Sequence, residues 1–290
     1  MQNLGNTKYS LLTSPCRPIA ERYSLWVLGT HALLAFDFFT PSHFPGFDIG
    51  SYPGDDAITA WAQAGLYKWC GYYLTTPCHS DSTFAPFTGK AAFLHSLGLG
   101  LAIIYVGHQQ GGCGGTNLTR TLGLQHGMDA VTKCQAEGFP NSAVIFLDVE
   151  YFDGAISAEF TAYYRGWLSA VLDSPAFQPG TYCAKANYND VSAAAQQEYA
   201  AHRLPFGGPV FWIALEDKTF DPVTADPADC GIAEASVWQG LLDTQQSQGG
   251  VTLAVDLDTA DSNDPSQTRL DLISVDYTFE EEIIEWDEPL

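Results

Sequence analysis

Positive charge is what this sequence has least of. Lysine and arginine together number 12 against 34 aspartates and glutamates, a net charge of −22. Proteins that grip nucleic acid or dock on an anionic bilayer present a basic face, so neither partner is expected. Acidity favours neutral or cationic ligands and aids solubility, but it names no substrate. Metal and phosphate motifs are missing as well. No Cys-x-x-Cys and no His-Glu-x-x-His occurs, which removes the zinc-ribbon and zincin patterns. The glycine-rich run 108–115 lacks the Lys-Ser/Thr of a phosphate-binding loop. No metal and no organic cofactor is implied. No internal repeat is visible.

A long membrane-spanning run is also wanting. Residues 23–39 are apolar, but they are short for a span and contain His31 and Asp37. They follow Arg17 and Arg22, in loose likeness to a signal peptide, yet they start late and lack a clean small-residue cleavage site. An extra strand or helix packed on the domain is the preferred reading. Of seven cysteines, Cys16 stands apart. The other six could form disulfides in an exported protein, with Cys70/Cys78 and Cys113/Cys134 the first local pairs to consider. The alternative is that several are small buried hydrophobes, as Cys183 within an expected strand would be. Asn117-Leu-Thr119 matches a glycosylation sequon, a triplet that is common by chance.

What is present is ample apolar material, 46% of 290 residues, enough for one large core of the size of an α/β barrel. From residue 46 onward strands and helices alternate. Strands are expected at 47–49, 69–74, 101–106, 143–150 and 180–184, with helices at 57–67, 91–97, 118–137, 158–172 and 192–204. Three further strands, at 210–215, 235–239 and 253–257, have no helix between them. Alternation implies parallel strands with right-handed crossovers, and eight strands close a barrel filled by side chains. The expected fold is an α/β, TIM-like barrel of five βα units followed by three strands. The expected divisions are an N-terminal extension over 1–44, the barrel over 45–275 and an acidic segment over 276–290.

The run Val144-Ile-Phe-Leu147 reads as a buried strand, and it ends in Asp148 and Glu150. Side chains at i and i+2 of a strand share a face. Two acids held so close do not ionise independently; one tends to keep its proton while the other stays charged. Glycoside hydrolysis needs that division of labour. In βα barrels the active site lies at the C-terminal ends of the strands. The residues gathered there are Asp48, Tyr72 or Tyr73, His108, Gln109, Asp148, Glu150, Tyr182, Lys185, Trp212, Glu216, Trp238, Gln239, Asp256 and Asp258. They form a ring of acids among aromatic side chains suited to stacking on sugar rings.

These residues carry a resemblance. Gly46-Phe-Asp48, Asp148-x-Glu150, Gly180-Thr-Tyr182, Phe211-Trp-Ile-Ala214, Val237-Trp-Gln239 and Val255-Asp-Leu257 resemble, in order, the motifs of family-25 glycoside hydrolases, which are N-acetylmuramidases. The run Gly46-Phe-Asp-Ile-Gly-Ser51, with Trp61 and Gly65 before Cys70-Gly-Tyr-Tyr-Leu74, is similar to the related bacterial glycoside-hydrolase-like domains grouped as domain of unknown function 1906. The resemblance covers residues 45–262. It implies a lysozyme-like hydrolase of β-1,4-linked amino-sugar polymer such as peptidoglycan; the protein is expected to be a monomer, secreted or in the cell envelope. Glu150 would be the general acid. Asp148 would orient the acetamido group or stabilise the positive centre, and Asp48 and Asp256 would shape the charge. Tyr73, Tyr182, Trp212, Trp238 and Gln239 would bind substrate. Asp258 departs from the family's Asp-Leu-Asn ending. The alternatives are an inert carbohydrate-binding barrel and an interaction module of an exported assembly.

Overall fold

A computed structural model describes residues 43–202 and 208–267, together with the backbone of two short strands, β1 (Tyr23–Leu28) and β2 (His31–Phe36). The chain divides into two units, Met1–Ser42 and His43–Leu290. In the first unit β1 and β2 pair antiparallel, with Tyr23 opposite Phe36. Cys16, residues 268–275 and the acidic segment 276–290 lie outside the described residues.

The second unit is a closed barrel in the order β10-β3-β4-β5-β6-β7-β8-β9. Five strands are each followed by a helix: β3 (Phe44–Asp48) by α1 (Asp55–Ala64), β4 (Trp69–Tyr73) by α2 (Ala91–Ser96), and β5 (Gly100–Val106) by α3 (Arg120–Glu137). β6 (Ala143–Val149) is followed by α4 (Ala158–Leu172) and β7 (Phe177–Ala184) by α5 (Tyr188–His202). Then come β8 (Val210–Ala214), β9 (Ala235–Gln248) and β10 (Val251–Ala260) with no α-helix between them. This is the expected TIM-like barrel of five βα units and three further strands.

Three details differ from the expectation. First, β10 runs antiparallel to both of its neighbours, β9 and β3. β9 and β10 are longer than 235–239 and 253–257, at 14 and 10 residues. They form one hairpin turning at Gly249 and Gly250, and Trp61 Nε1 of α1 donates to Val251 O at 3.1 Å. The polar run from Asp243 to Gln248 concealed the extension, because an exposed ribbon needs no apolar face. Second, α5 begins at Tyr188, not at residue 192. Third, the disulfide joins Cys78 to Cys113, while Cys70, Cys134, Cys183 and Cys230 are free and buried. Neither local pair forms: Cys70 lies on β4 with its side chain in the packed layer outside the barrel, and Cys134 faces the same layer from α3.

Strand alternation sorts side chains into two cores. Inside the barrel, Trp69, Ile104, Val144, Phe146, Trp212 and Val237 fill the floor. Trp212 meets Trp69 and Phe146 edge-on, at 5.6 and 5.7 Å between ring centroids. Glycines make room for these rings; a Cβ on Gly46 would lie 2.0 Å from the Trp69 ring. Outside, residues of opposite parity such as Phe47, Ile103, Tyr105 and Leu147 pack against the helices.

Helix ends follow local chemistry. Thr119 and Ser157 cap α3 and α4 by accepting from Leu122 N and Phe160 N. α1 and α3 stop at Gly65 and Gly138, both left-handed. The buried stripe of α3 is Gly123, His126, Gly127, Ala130 and Cys134. Its spacing is helical, but its residues are small, so the stripe is barely apolar. Small size lets α4 approach: a Cβ on Gly123 would lie 1.9 Å from Tyr163 O. Gly123→Ala should therefore destabilise the fold by about 1–3 kcal/mol through overpacking, although alanine is the better helix former by up to about 1 kcal/mol. Urea unfolding measures it; an unchanged or raised midpoint would show that α3 and α4 separate without cost.

Candidate active site

The mouth of the barrel, at the C-terminal ends of its parallel strands, collects acids from three elements. Asp48 closes β3 and points inward, 3% exposed. Gly71 on β4 leaves the space it fills; a Cβ there would sit 2.6 Å from Asp48 Cβ. Asp148 lies near the end of β6 and is buried, and Glu150, just beyond the strand, is exposed at the rim. Asp256 and Asp258 face inward from β10, opposite Asp48 and Gly46 of β3. The expectation placed Asp256 at a strand's C-terminal end. It reaches the mouth from mid-strand, because β10 enters the barrel from that side.

Neutral donors hold these acids. Tyr73 OH donates to Asp48 Oδ1 at 2.6 Å, and Gln239 Nε2 donates to Asp48 Oδ2 at 2.8 Å and to Asp256 Oδ2 at 3.1 Å. Tyr182 OH donates to Gln239 Oε1 at 2.7 Å, which fixes the amide's orientation. The bulge in the β9–β10 ladder turns the Asp243 N–H onto Asp256 Oδ1 at 2.7 Å. Asp243 has φ 48°, a left-handed conformation that costs a non-glycine residue. Among the described residues no lysine, arginine or histidine forms an ion pair with any of these five acids.

Protonation follows from that arrangement. Burial raises Asp48, against the hydrogen bonds from Tyr73 and Gln239. Burial, then the charges of Glu150 and Asp48, push Asp148 well above the usual carboxylate range, and no partner reaches its Oδ1. Partial enclosure and the charge of Asp48 raise Glu150, opposed by the Tyr151 N–H. Asp256 is pushed up to about 7, by burial first and then by Asp48. Burial and Asp148 were expected to raise Glu150; burial does, but the charge acting on it is that of Asp48, while the charge of Glu150 acts in turn on Asp148.

The predicted substrate-binding residues divide. Tyr73, Tyr182 and Gln239 line the mouth as partners of the acids. Trp212 lies beneath them, 1% exposed, with Nε1 donating to Asp258 Oδ1 at 3.2 Å. Trp238 is not in the mouth. It packs on Phe220 at 4.6 Å in the outer layer, with Nε1 donating to Leu215 O at 2.9 Å. Trp238 and Gln239 are adjacent on one strand, so only one of them can point inward.

Two residues at the mouth do more than the sequence suggested: Gln109 was placed at the end of the third strand without a role, and Tyr151 was not singled out. Gln109, 5% exposed, clamps the acid segment. Its Nε2 donates to Asp148 O at 2.8 Å and Gly107 O at 3.2 Å, and its Oε1 accepts from Glu150 N at 3.0 Å. Gln110 holds the far end of the same loop through Ala155 O and Ser157 N. The loop carrying both glutamines is tied to the β4–α2 loop by Cys78–Cys113. There His79 stacks on Tyr73 at 4.9 Å, behind the hydroxyl that serves Asp48. Amide clamps leave no motif in a sequence. The second residue is Tyr151, 60% exposed beside Glu150; its adjacency to the acid was the available signal.

Two depressions lie elsewhere. One, between α3 and α4, is about 520 Å³ and includes Arg120 and Arg165; the other, at the opposite barrel end, is about 310 Å³ and includes Phe139 and Asp264. Neither includes a mouth acid. Among the described residues, no three His, Cys, Asp or Glu side chains are grouped as a metal site.

A family model described as "Rv2525c-like, glycoside hydrolase-like domain" matches residues 59–265. That span holds every mouth acid except Asp48. No curated protein matches the sequence. Among solved structures, an uncharacterized B. stearothermophilus protein superposes with a TM-score of 0.52 at 19% identity, covering 75% of this chain and 95% of that one. The modular autolysin LytC from Streptococcus pneumoniae gives 0.50 at 11% identity, covering 76% of this chain and 47% of that one. The Clostridium perfringens spore cortex lytic enzyme SleM gives 0.50 at 13% identity, covering 77% and 68%. At these identities the likeness is one of fold.

The Gln109 clamp can be tested on stability alone. Gln109→Leu leaves a buried carbonyl and an N–H of the acid segment unpaired. It should cost about 2–6 kcal/mol, since each of the two orphaned groups is worth roughly 1–3. Chemical unfolding that moves by less than a few tenths of a kcal/mol would mean the loop holds its shape without the clamp.

Proposed function

Because the chain belongs to the Rv2525c-like family of glycoside hydrolase-like domains, we propose that it hydrolyses a β-1,4-linked amino-sugar polymer, peptidoglycan before others. The observation that carries this reading is Glu150. It is an exposed acid with a raised pKa at the mouth of a barrel, backed by four further carboxyl groups and no paired cation among the described residues. A general acid needs access to the glycosidic oxygen and a proton still bound near working pH. Glu150 meets the first by its exposure, and its raised pKa favours the second. Asp148 is too enclosed to reach a glycan chain without movement. It lies beneath Glu150, its own pKa pushed well up by burial and by the charges of Glu150 and Asp48. The negative charge that faces an oxocarbenium-like centre comes from Asp48 and from Asp256 in its ionised form. Tyr151, exposed next to the acid, offers a ring on which a sugar can stack.

The choice of polymer draws on the neighbours' printed names, an autolysin and a spore cortex lytic enzyme, and on the LytC structure described as a complex with a synthetic peptidoglycan ligand. An extracytoplasmic location is proposed on the Cys78–Cys113 disulfide, since such bonds persist in oxidising compartments. No helix among the described residues is long and apolar enough to cross a membrane.

The test is release of reducing ends from purified cell walls. Glu150→Gln should cut turnover by about 10²–10⁴-fold, the usual worth of general acid catalysis, while glycan binding stays within a few-fold. Binding without any reducing ends from the unmutated protein would identify an inert carbohydrate-binding barrel instead. Neither binding nor cleavage would leave the interaction-module reading.

Two further outcomes follow from the same site. Glu150 is active when protonated and its pKa is raised, so turnover should fall as pH climbs through that raised value; a flat profile from acid to mildly alkaline pH speaks against it. Tyr151→Ala should weaken binding by roughly 1–3 kcal/mol, the scale of aromatic stacking on nucleobases, as read by pull-down or calorimetry with glycan fragments.

A further inference from the structure

Asp258 is the most enclosed acid in the barrel. It has no exposed surface and faces inward one step deeper than Asp256. Its Oδ1 accepts a single hydrogen bond, from Trp212 Nε1 at 3.2 Å, and no donor reaches its Oδ2. A buried carboxylate so poorly served is costly. Beside it stands Asp48, which has a donor on each oxygen, Tyr73 OH at 2.6 Å and Gln239 Nε2 at 2.8 Å. Asp48 and Asp258 face inward from adjacent strands, Asp48 opposite Asp256 and Asp258 two residues further along β10, and each acts on the other's protonation.

Adjacent buried carboxyl groups do not both ionise, so one of the pair carries a proton. The donors decide which. A hydroxyl on Asp48 would face a hydrogen that already points at it from Tyr73 or Gln239. A hydroxyl on Asp258 Oδ2 occupies the one position without a donor and has Asp48 as its acceptor. The other ionisable groups acting in this space give no reason to ionise Asp258. Asp256, on the same strand, is a second negative neighbour, and Tyr67, before β4, is a neutral phenol raised in part by Asp258 itself. β8 and β9 present Trp212 and Gln239, neither of which carries charge.

We propose that Asp258 is a buried carboxylic acid, protonated at neutral pH, whose Oδ2–H donates to Asp48 and so fixes Asp48 as the anion of the barrel mouth. Asp258 is thus a positioning residue that acts through Asp48. Its relevance to turnover rests on the hydrolase reading above; the proton's location does not.

The experiment uses the full chain, unmutated and as Asp258→Asn and Asp258→Leu. At neutral pH the infrared spectrum of the unmutated protein should contain a buried carboxylic-acid carbonyl band that D258N lacks. Linkage gives a second readout. The unfolded chain gives up this proton near the ordinary aspartate pKa while the folded protein keeps it, so folding loses ground as pH rises. Relative to D258N, the folding constant of the unmutated protein should fall by up to about tenfold per pH unit above that range. No lost infrared band, together with a stability ratio that ignores pH, would overturn the proposal. In turnover, D258L should lose roughly 10- to 100-fold, the worth of one hydrogen bond to a charged group, chiefly in kcat. D258N, whose amide N–H can replace the hydroxyl, should recover most of it. A D258N that folds yet performs no better than D258L also counts against the proposal, because the missing element would then be a charge. If D258L does not fold, the infrared band and the pH slope of D258N still decide. If the unmutated protein cleaves no glycan, the hydrolase reading fails while the protonation result stands.

Discussion

The amide of Gln239 holds together groups that repel one another. Its nitrogen donates to Asp48 and Asp256, and its oxygen accepts from Tyr182. Asp48 and Asp256 lie opposite each other on β3 and β10, the seam where the barrel closes. Like charges across a closing seam oppose closure. With no ion-paired cation at hand among the described residues, a neutral donor shared between the two lowers the cost without cancelling the field. The field is what any reaction here would use. Removing the repulsion with a lysine would stabilise the barrel and silence the acids.

That constraint extends outward in layers. Tyr182 can hold Gln239 because Trp212 supports its ring edge-on at 5.5 Å. Tyr73 can hold Asp48 because His79 and Phe84 are stacked behind it. On the other side of the mouth, Gln109 grips the backbone of Asp148 and Glu150. The covalent tie between Cys78 and Cys113 spans these two arms. The acids therefore sit on strands, and the loops above them are braced by stacking, amide hydrogen bonds and one disulfide. Binding geometry placed on rigid elements in this way needs little reorganisation during a reaction.

Much of this was legible in the sequence where burial on both faces writes itself as hydrophobic runs. β5 and β6 are such runs, and Asp148 and Glu150 stand out where β6 ends. The convergence of Asp48 with Asp256 was also legible, but through a mistaken direction for the last strand. Residue parity survives reversal of a strand, so the inward face was right even though the polarity was not. Parity also explains the failure at Trp238: composition favoured both it and Gln239, and the pleat admits one. α3 was found by length and not by its apolar face, since glycine, histidine and alanine make up its contact with α4. The disulfide pairing was missed because its cysteines lie 35 residues apart on two different loops, while sequence reading favours near neighbours. The exposed hairpin of β9 and β10 carries no pattern, because nothing on its polar stretch had to be hidden.

The reversed last strand also sets the direction of traffic. A barrel of eight parallel strands with its crossovers brings the chain back to the same starting end each time. Here β10 descends from the mouth and finishes at Ala260 opposite Phe44, at the floor. The segment that follows stays there: Asp264 and Ser266 accept from the N–H groups of Leu101 and Ile103, and Ser266 donates from its own N–H to Leu101 O, at the start of β5. The described chain thus leaves from the closed end, as far from Glu150 as the barrel allows. Residues 261–267 stitch the floor shut, and none of those bonds draws on the open face where Glu150 stands.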